Sequence, residues 1–271
     1  MPSVITATRD LLEAAVHLRR DKALRPFETA ARKSIGKVFA RQGAAVLRAL
    51  PKFAGYFVVQ EATPKAKTPP PPIDGEWDAI ADDTASEFTK ALVKLSGSAL
   101  VAGAKVLSDD LGIALRFDLK NPRAEAFMRE HGADLVTKIN ETTREDLKAL
   151  LSEAIDNGWS YTQTAKAIRD EFDGFSKERA KTVAVTESAF AYEGGQRQMA
   201  AALQDAGLEM EKSWIAEDTA CDICADNADR DWVPEDEDFE GSDGDIDGPP
   251  GHVNCRCASL TRRAKPEDQE E

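Results

Sequence analysis

The spacing of apolar residues along the chain predicts a protein built mainly from α-helices. Apolar side chains recur every three to four positions over most of its length, with charged residues between them, and this spacing places them on one face of a helix. After residue 207 the periodicity is lost, and Met210, Ser213 and Ile215 indicate a short strand. The predicted helices cover residues 5–22, 27–50, 76–108, 123–131, 133–157, 160–172 and 177–206.

The same pattern divides the chain into five parts. A basic amphipathic helical arm, 1–61, precedes a proline-rich linker, 62–75, whose four consecutive prolines favour a stiff polyproline segment. This linker is either a free hinge or a segment pinned where it crosses the protein. A helical body, 76–207, leads to a small irregular α+β lobe, 208–261, and a disordered tail is predicted for 262–271. The predicted fold class is therefore mainly α, with an extended arm, a helical body and a small C-terminal lobe.

Composition supports a helical protein without a membrane span. Of the 271 residues, 42% are hydrophobic, 31% are charged and 7% are aromatic, a balance that fits a buried core and favours helix over sheet. No uncharged apolar run approaches the roughly 18 residues that a membrane span needs. The N-terminal segment also lacks the features of a signal peptide. We therefore expect a mature cytosolic start and no membrane crossing.

Charge is distributed unevenly around the net value of −14. Residues 1–72 carry 13 lysines and arginines against 5 acidic residues, a net charge of +8. Residues 205–271 carry 6 against 21, a net charge of −15. A basic arm can contact phosphate or an acidic protein surface, whereas the acidic end should repel nucleic acid. Each charged end is also compatible with a plain solvated surface.

All four cysteines lie near the C-terminus, together with one of the three histidines. Cys221 and Cys224 form a Cys-x2-Cys pair, and after a 27-residue loop His252, Cys255 and Cys257 form a His-x2-Cys-x-Cys group. A pair of ligands on each of two tight turns can surround zinc tetrahedrally, at about 2.3 Å for sulfur. Five candidates for four positions leave one over, so either His252 or one of the last two cysteines lies outside the zinc ligand set.

Structural zinc is the favoured interpretation of this cluster. A metal would staple a lobe that is too loop-rich and acidic to be held by burial alone. The alternatives are a disulfide between the two halves and reduced cysteines without metal. Catalytic zinc is disfavoured, because protein side chains can fill all four positions.

The acidic loop between the two halves suggests a second cation site. Its sequence "DGDIDG", 243–248, matches the first half of a calcium-binding loop. The glutamate expected at position twelve is replaced by Asn254, and Pro249 and Pro250 interrupt the pattern. An EF-hand is therefore not expected; an irregular cation site or, by default, a solvated acidic loop remains.

Several motifs in one order carry a resemblance to a known family. The stretch "RAKTVAVTESAFAYEGGQRQ", 179–198, is followed by "SWIAEDTACDIC", 213–224, and "PPGHVNCRC", 249–257. Upstream, 117–160 contains an Asn-Pro pair, "INETT" and Gly-Trp-Ser. This order resembles the phage Mu F-like minor head proteins, the head morphogenesis family of tailed bacteriophages, over roughly 115–260.

The resemblance implies a non-enzymatic minor capsid protein that docks on the portal inside the procapsid and aids head assembly, DNA packaging or ejection. It implies the virion as location, inside the capsid, and the host cytoplasm during assembly. The portal protein is the expected partner, with the major capsid or scaffolding protein, packaged DNA and several copies around the portal as further possibilities. The family's metal-binding positions correspond here to Cys221, Cys224, His252, Cys255 and Cys257, and its helical signature to Arg179, Thr186 and Glu187.

The basic arm is the expected contact surface for the portal or capsid first, and for DNA second. One competing function is a non-specific DNA-binding protein, whose affinity should fall steeply with salt. A second is a zinc-knuckle nuclease that uses His252 as a base beside Asp245 or Asp247. The candidate contact residues of the arm are Arg19, Arg20, Lys22, Arg25, Arg32, Lys33, Lys37, Arg41 and Arg48.

Overall fold

A computed structural model shows that long helices make up most of the protein. It describes residues 4–57, 71–114, 117–119, 122–242 and 244–265. A 3-10 helix, Leu50–Phe57, follows the first α-helix directly. The prediction of a mainly α protein with a small α+β lobe at the C-terminus is confirmed. The α-helices of this part of the chain are α1 (Val4–Ala49), α2 (Asp74–Asp110), α3 (Pro122–Asp156), α4 (Tyr161–Asp205) and α5 (Asp222–Asp229).

The helices are longer than the sequence pattern predicted. The expected break near Pro26 is wrong, because α1 continues through this residue. Proline removes one backbone donor, but Leu24 and Ala31 on either side of it are buried, and this packing keeps the helix continuous. The predicted helices 160–172 and 177–206 are likewise one helix, α4, in which the Ser176 hydroxyl donates back to the carbonyl of Phe172 instead of capping a new helix.

Strands occur only in the C-terminal lobe among the described residues. The predicted strand at Met210 is confirmed as β1 (Met210–Ile215). It lies between β2 (Val233–Pro234) and β5 (Ala258–Arg263) in an antiparallel sheet. A hairpin of β3 (Phe239–Gly241) and β4 (Gly244–Ile246) forms a second small sheet. Because β5 begins directly after Cys257, the first sheet fixes the position of the last cysteines.

The chain divides into two compact units, each assembled from separated segments. The first contains the described residues of Met1–Ala30, Lys94–Met128 and Thr182–Glu271. The second contains those of Ala31–Val93 and Arg129–Lys181. The division predicted from the sequence instead consists of consecutive segments of the chain. That division stays a prediction.

Residues 58–70 and 266–271, which belong to the predicted arm, linker and tail, lie outside the described residues. Among the described residues, α2 begins at Asp74, inside the predicted linker, and β5 includes Arg262 and Arg263 of the predicted tail.

The second unit has an apolar core with a few buried polar contacts. Gln42 donates its side-chain amide to Thr84 at 2.9 Å and to Asn140 at 3.1 Å. Arg179 pairs with Asp146 at 3.1 Å. These contacts join α1, α2, α3 and α4 within the unit. The core side chains include Val46, Leu50, Phe53, Phe57, Ile73, Trp77, Leu147, Leu151, Ile168 and Phe172.

In the first unit, α2 and α4 approach each other closely enough for their backbones to touch. A Cβ atom added at Gly103 would lie 1.8 Å from the carbonyl oxygen of Tyr192. One added at Gly195 would lie 2.0 Å from the carbonyl oxygen of Leu100. Only glycine permits this approach, because any other residue places a side chain between the helices.

Helix α2 is long and apolar enough to cross a membrane by length and composition alone. More than half of its apolar stretch is buried inside the protein. Phe88, Leu92, Leu95 and Leu100 of this helix are each almost fully buried, as the apolar side of a core helix is. The expectation that the chain has no membrane span stays a prediction.

Candidate metal centre

The first cysteine pair lies at the start of α5. Cys221 is the residue before the helix, and Cys224 lies in its first turn. The backbone N–H of Cys224 points at the Cys221 sulfur and lowers the pKa of that thiol. The N-terminus of a helix also favours negative charge. Local helix geometry therefore brings the two sulfurs close together and favours the thiolate form of Cys221.

The second group of candidate ligands lies on a tight turn between the acidic loop and β5. The N–H of Cys255 donates to the carbonyl of His252 at 3.1 Å and closes the turn. Asn254 adopts a left-handed conformation with φ of 62°, which asparagine tolerates better than most residues. Cys255 and Cys257 are both buried on leaving this turn.

The two groups converge as the sequence predicted. The ligand atoms of Cys221, Cys224 and His252 lie within 4.8 Å of one another, and so do those of Cys224, Cys255 and Cys257. The Cys224 and Cys255 sulfurs are 3.8 Å apart, about the sulfur–sulfur edge of a tetrahedron with zinc–sulfur bonds of about 2.3 Å. A disulfide needs about 2.05 Å, and all four cysteines are free. The cluster can therefore hold a metal ion.

Burial and mutual hydrogen bonds shift the pKa values of the clustered thiols in opposite directions. Burial raises the pKa of Cys224 to about 12. The S–H of Cys257 donates to Cys255 and, with nearby backbone N–H groups, lowers the pKa of Cys255 to about 5. The same hydrogen bond raises the pKa of Cys257. A metal cation would offset the burial penalty of such thiolates.

His252 is oriented for coordination through one defined nitrogen. Its Nδ1 lies 2.8 Å from the carbonyl oxygen of Val253. Because a carbonyl can only accept, Nδ1 carries the proton. The hydrogen bond to the Val253 carbonyl raises the pKa of the ring. Nε2 is then left with the lone pair that a metal ligand needs.

The cluster is enclosed by apolar and aromatic side chains. Trp214, Val233 and Phe239 pack with the three buried cysteines, and the Trp214 and Phe239 rings meet edge to face at 5.3 Å. The buried indole N–H of Trp214 interacts with the Cys257 sulfur. A metal-bound thiolate is a strong acceptor for such a donor. The donor set and its surroundings therefore fit zinc.

Two internal cations hold the acidic loop onto the lobe. The ammonium group of Lys212 on β1 donates to the carbonyls of Glu235 and Asp247, both at 2.7 Å. Arg197 on α4 pairs with the Asp247 carboxylate at 3.0 Å and donates to the carbonyl of Pro249 at 3.1 Å. Asp243, the first position of the calcium-like motif, lies outside the described residues. The side chains of Lys212 and Arg197 therefore contact oxygen atoms that a bound cation would otherwise use.

Glu235, beside this network, makes the lobe sensitive to pH. Burial raises its pKa to about 7, even though Lys212 and Arg197 act in the opposite direction. A carboxyl group whose pKa is raised in the folded state contributes its full stabilisation when the pH lies below its pKa in the unfolded chain, near 4.5. That contribution is lost as the pH rises through 7.

We therefore expect Glu235→Gln to remove a pH-dependent part of the stability. Relative to the unchanged protein, the variant should become more stable between about pH 4.5 and 7, by up to about 3 kcal/mol. Denaturant unfolding at several pH values measures the difference, in which the pH dependence of the metal ligands cancels. Glu240→Gln, at an exposed position, controls for the lost charge, and a difference that does not vary with pH would contradict the assignment.

The candidate arm residues divide into engaged and exposed cations. Arg20 is not part of an exposed surface: it is 1% exposed, lies 3.2 Å from the Glu193 carboxylate, and donates to the carbonyl of Arg256 at 2.7 Å. Arg19 pairs with Asp110, and Arg41 pairs with Asp83 and Glu87. The other six are exposed and form no ion pair with a described residue: Lys22, Arg25, Arg32, Lys33, Lys37 and Arg48.

Of the three signature residues on α4, one lies in the second unit and two lie in the first unit. Arg179 belongs to the second unit, where it pairs with Asp146 of α3. Thr186 and Glu187 belong to the first unit. Thr186 accepts a hydrogen bond from the backbone N–H of Asn254 at 3.0 Å, and Glu187 is buried. The sequence pattern did not show that Thr186 contacts the metal-binding turn.

Sequence reasoning also missed the polar residues that support this turn from below. Glu193 of α4 accepts from the backbone N–H of Ser259 at 3.1 Å and also from its hydroxyl. Arg256 pairs with Glu28 of α1 at 3.0 Å. The sequence contains one signal for these contacts. Glu193 is a charged residue in "AFAYEGG", a helical stretch otherwise rich in small apolar residues.

Fold and site together define a helical protein whose small C-terminal lobe is organised around a cysteine–histidine cluster. Residues 145–260, which span the end of α3, α4 and the lobe, match the family described as Phage Mu protein F like protein. This match confirms the resemblance to the family that the helical signature and the cysteine motif indicated. The match begins at 145 rather than near 115. No curated protein and no solved structure gives a significant match.

The match indicates a phage head morphogenesis protein. Members of the family are generally structural head proteins and not enzymes. The same match suggests association with the virion and with other capsid components.

Proposed function

We propose that this protein is a minor capsid component that docks on the portal inside the procapsid and aids head assembly, DNA packaging or ejection. The observation that supports this role is the family match over the structured α4 and metal-binding lobe. In this proposal the lobe is a structural module and the exposed cations of α1 supply the partner contact. Several copies around the portal would fit the same arrangement.

The proposed metal is a single structural zinc ion. Cys221, Cys224 and His252 form one set of three mutually close ligands, and Cys255 lies at tetrahedral distance from the shared Cys224. Together these four side chains would hold the ion through three sulfurs and the His252 Nε2. Cys257 is the remaining thiol, placed to support Cys255. The bound ion would supply a fixed positive charge that joins α5 to the turn before β5.

The proposed contact surface is the set of four exposed cations that α1 carries in the second unit: Arg32, Lys33, Lys37 and Arg48. Lys33 and Lys37 lie one turn apart and form no ion pair with any described residue. Cations of this kind can attract the acidic surface of a partner protein and raise the association rate. Arg19, Arg20 and Arg41 are excluded from this surface because acidic groups of the chain itself already engage them.

Co-purification with the portal protein of the same phage tests this proposal. Lys33→Glu with Lys37→Glu should weaken the co-purification at least ten-fold, because it reverses two charges on the proposed surface. The matched control is Lys90→Glu with Lys94→Glu, an exposed lysine pair of equal spacing on α2. Equal portal binding by both double variants would count against the surface, and no portal binding by the unchanged protein would count against the docking role.

DNA binding through the same cations is the alternative function. It is supported by their exposure without acidic partners in the described chain. Co-purification that disappears after nuclease treatment, and that falls steeply between 50 and 200 mM salt, would favour DNA binding over portal binding. The nuclease hypothesis has weaker support for two reasons. His252 is a ligand of the proposed zinc, and Asp247 is paired with Arg197.

A further inference from the structure

The metal-binding turn is held from outside by two long helices. Thr186 of α4 accepts the N–H of Asn254, one residue before Cys255. Arg20 of α1 donates to the carbonyl of Arg256, between Cys255 and Cys257. Both contacts use backbone groups of the turn and not its candidate ligand atoms.

The hydrogen bond to Thr186 satisfies a backbone group that the turn itself leaves free. The N–H of Cys255 already closes the turn onto His252. Asn254, in its left-handed conformation, directs its own N–H outward to the Thr186 hydroxyl. Threonine is branched at Cβ and therefore stiff in a helix, so α4 offers this acceptor at a fixed position.

We propose that Thr186 is a positioning residue for the metal centre: its hydroxyl holds the His252–Cys255 turn in the conformation that presents both ligands to the ion. This inference rests on the metal site proposed above and adds a role for the helical signature. Contacts that orient ligands from outside the coordination shell typically change metal affinity 10- to 100-fold when removed. The proposed mechanism is preorganisation: α4 fixes the turn before the ion binds.

Thr186 is a better test of this idea than Arg20. Arg20 is buried against Glu193, so its removal would leave an unpaired buried carboxylate and destabilise the whole unit. Thr186 is only partly buried, and Thr186→Val keeps the shape of the side chain while deleting the acceptor. Thr186→Ser restores a hydroxyl. Thr182→Val, one turn earlier on α4 and also partly buried, is the matched control.

The experiment measures zinc affinity of the full-length reduced protein by competition with a chromogenic chelator. Cobalt titration provides a second readout, because its visible absorption reports tetrahedral thiolate coordination. We expect Thr186→Val to bind zinc at least ten-fold more weakly, and Thr186→Ser and Thr182→Val to remain within about three-fold of the unchanged protein. In the metal-free protein, hydrogen exchange at the Asn254 amide should be faster in Thr186→Val alone.

The outcomes separate this inference from the proposal that it rests on. Zinc binding by the unchanged protein with equal affinity in Thr186→Val would overturn the positioning role and leave the metal centre standing. No zinc binding by the unchanged protein would overturn the metal centre and the positioning role together. Equal losses in Thr186→Val and Thr186→Ser would show that a hydroxyl at this position does not suffice to hold the turn, and would also overturn the inference.

Discussion

Replacement of Cys224 by serine should abolish metal binding and unfold the C-terminal lobe. Cys224 is the one residue shared by both sets of close ligands, and it is fully buried. Its loss would remove a zinc–sulfur bond of the proposed centre and leave a hydroxyl among apolar side chains. Because metal binding in small structural sites is coupled to folding, we expect a loss of about 5 kcal/mol or more in the stability of the lobe. Elemental mass spectrometry and thermal unfolding of the purified, reduced protein measure both effects.

Cys257→Ser is the matched control for this prediction. It makes the same substitution in a buried cysteine of the same cluster, one that the proposed ligand set leaves out. About one zinc per chain should remain in Cys257→Ser and almost none in Cys224→Ser. Retention of zinc by Cys224→Ser would exclude the proposed centre, and equal loss from both variants would show that Cys257 is a ligand.

Replacement of Gly195 by alanine should strongly destabilise the first unit. The new Cβ would lie 2.0 Å from the oxygen and 2.8 Å from the carbonyl carbon of Leu100, and 2.9 Å from the nitrogen of Ala104. All three are backbone atoms of α2 and cannot rotate away, so the two helices must separate. We expect a loss of about 3 kcal/mol or more, which corresponds to a fall in melting temperature of roughly 6–12 °C for a protein of this size.

Gly174→Ala provides the control within the same helix. Gly174 lies inside α4, is exposed, and has no atom within 4 Å of an added Cβ. Alanine there should stabilise the helix by about 0.5–1 kcal/mol. Opposite signs for the two substitutions are the expected result of calorimetry, and a similar effect at both positions would contradict the close helix contact.

The sequence predicted those features that depend on local pattern. Periodicity located the helices, the loss of periodicity located β1, and the spacing of Cys221, Cys224, His252 and Cys255 predicted that these residues converge. Helix ends were wrong near Pro26 and Ser176, because packing on both sides of each residue outweighs its local preference. Such packing depends on distant segments, which periodicity does not describe.

Charge was the least informative part of the sequence. Arg20 belongs to the basic arm by position, yet its side chain lies inside the first unit against Glu193. Lys212 is buried with its ammonium group on two loop carbonyls. Net charge along the chain does not distinguish a solvated cation from one that completes a buried network. Only the three-dimensional partners of each residue make that distinction.

The attachment of α1 to the C-terminal lobe has a consequence for how the protein is made. His17 contacts the carbonyl of Ala216, 199 residues later, and Arg20 contacts Arg256, 236 residues later. The ribosome releases the N-terminus first, so the start of α1 must wait for nearly the whole chain before its partners exist. Contacts so distant in sequence form slowly. Completion of the first unit, and capture of the proposed metal, can therefore occur only after residue 256 has been synthesised.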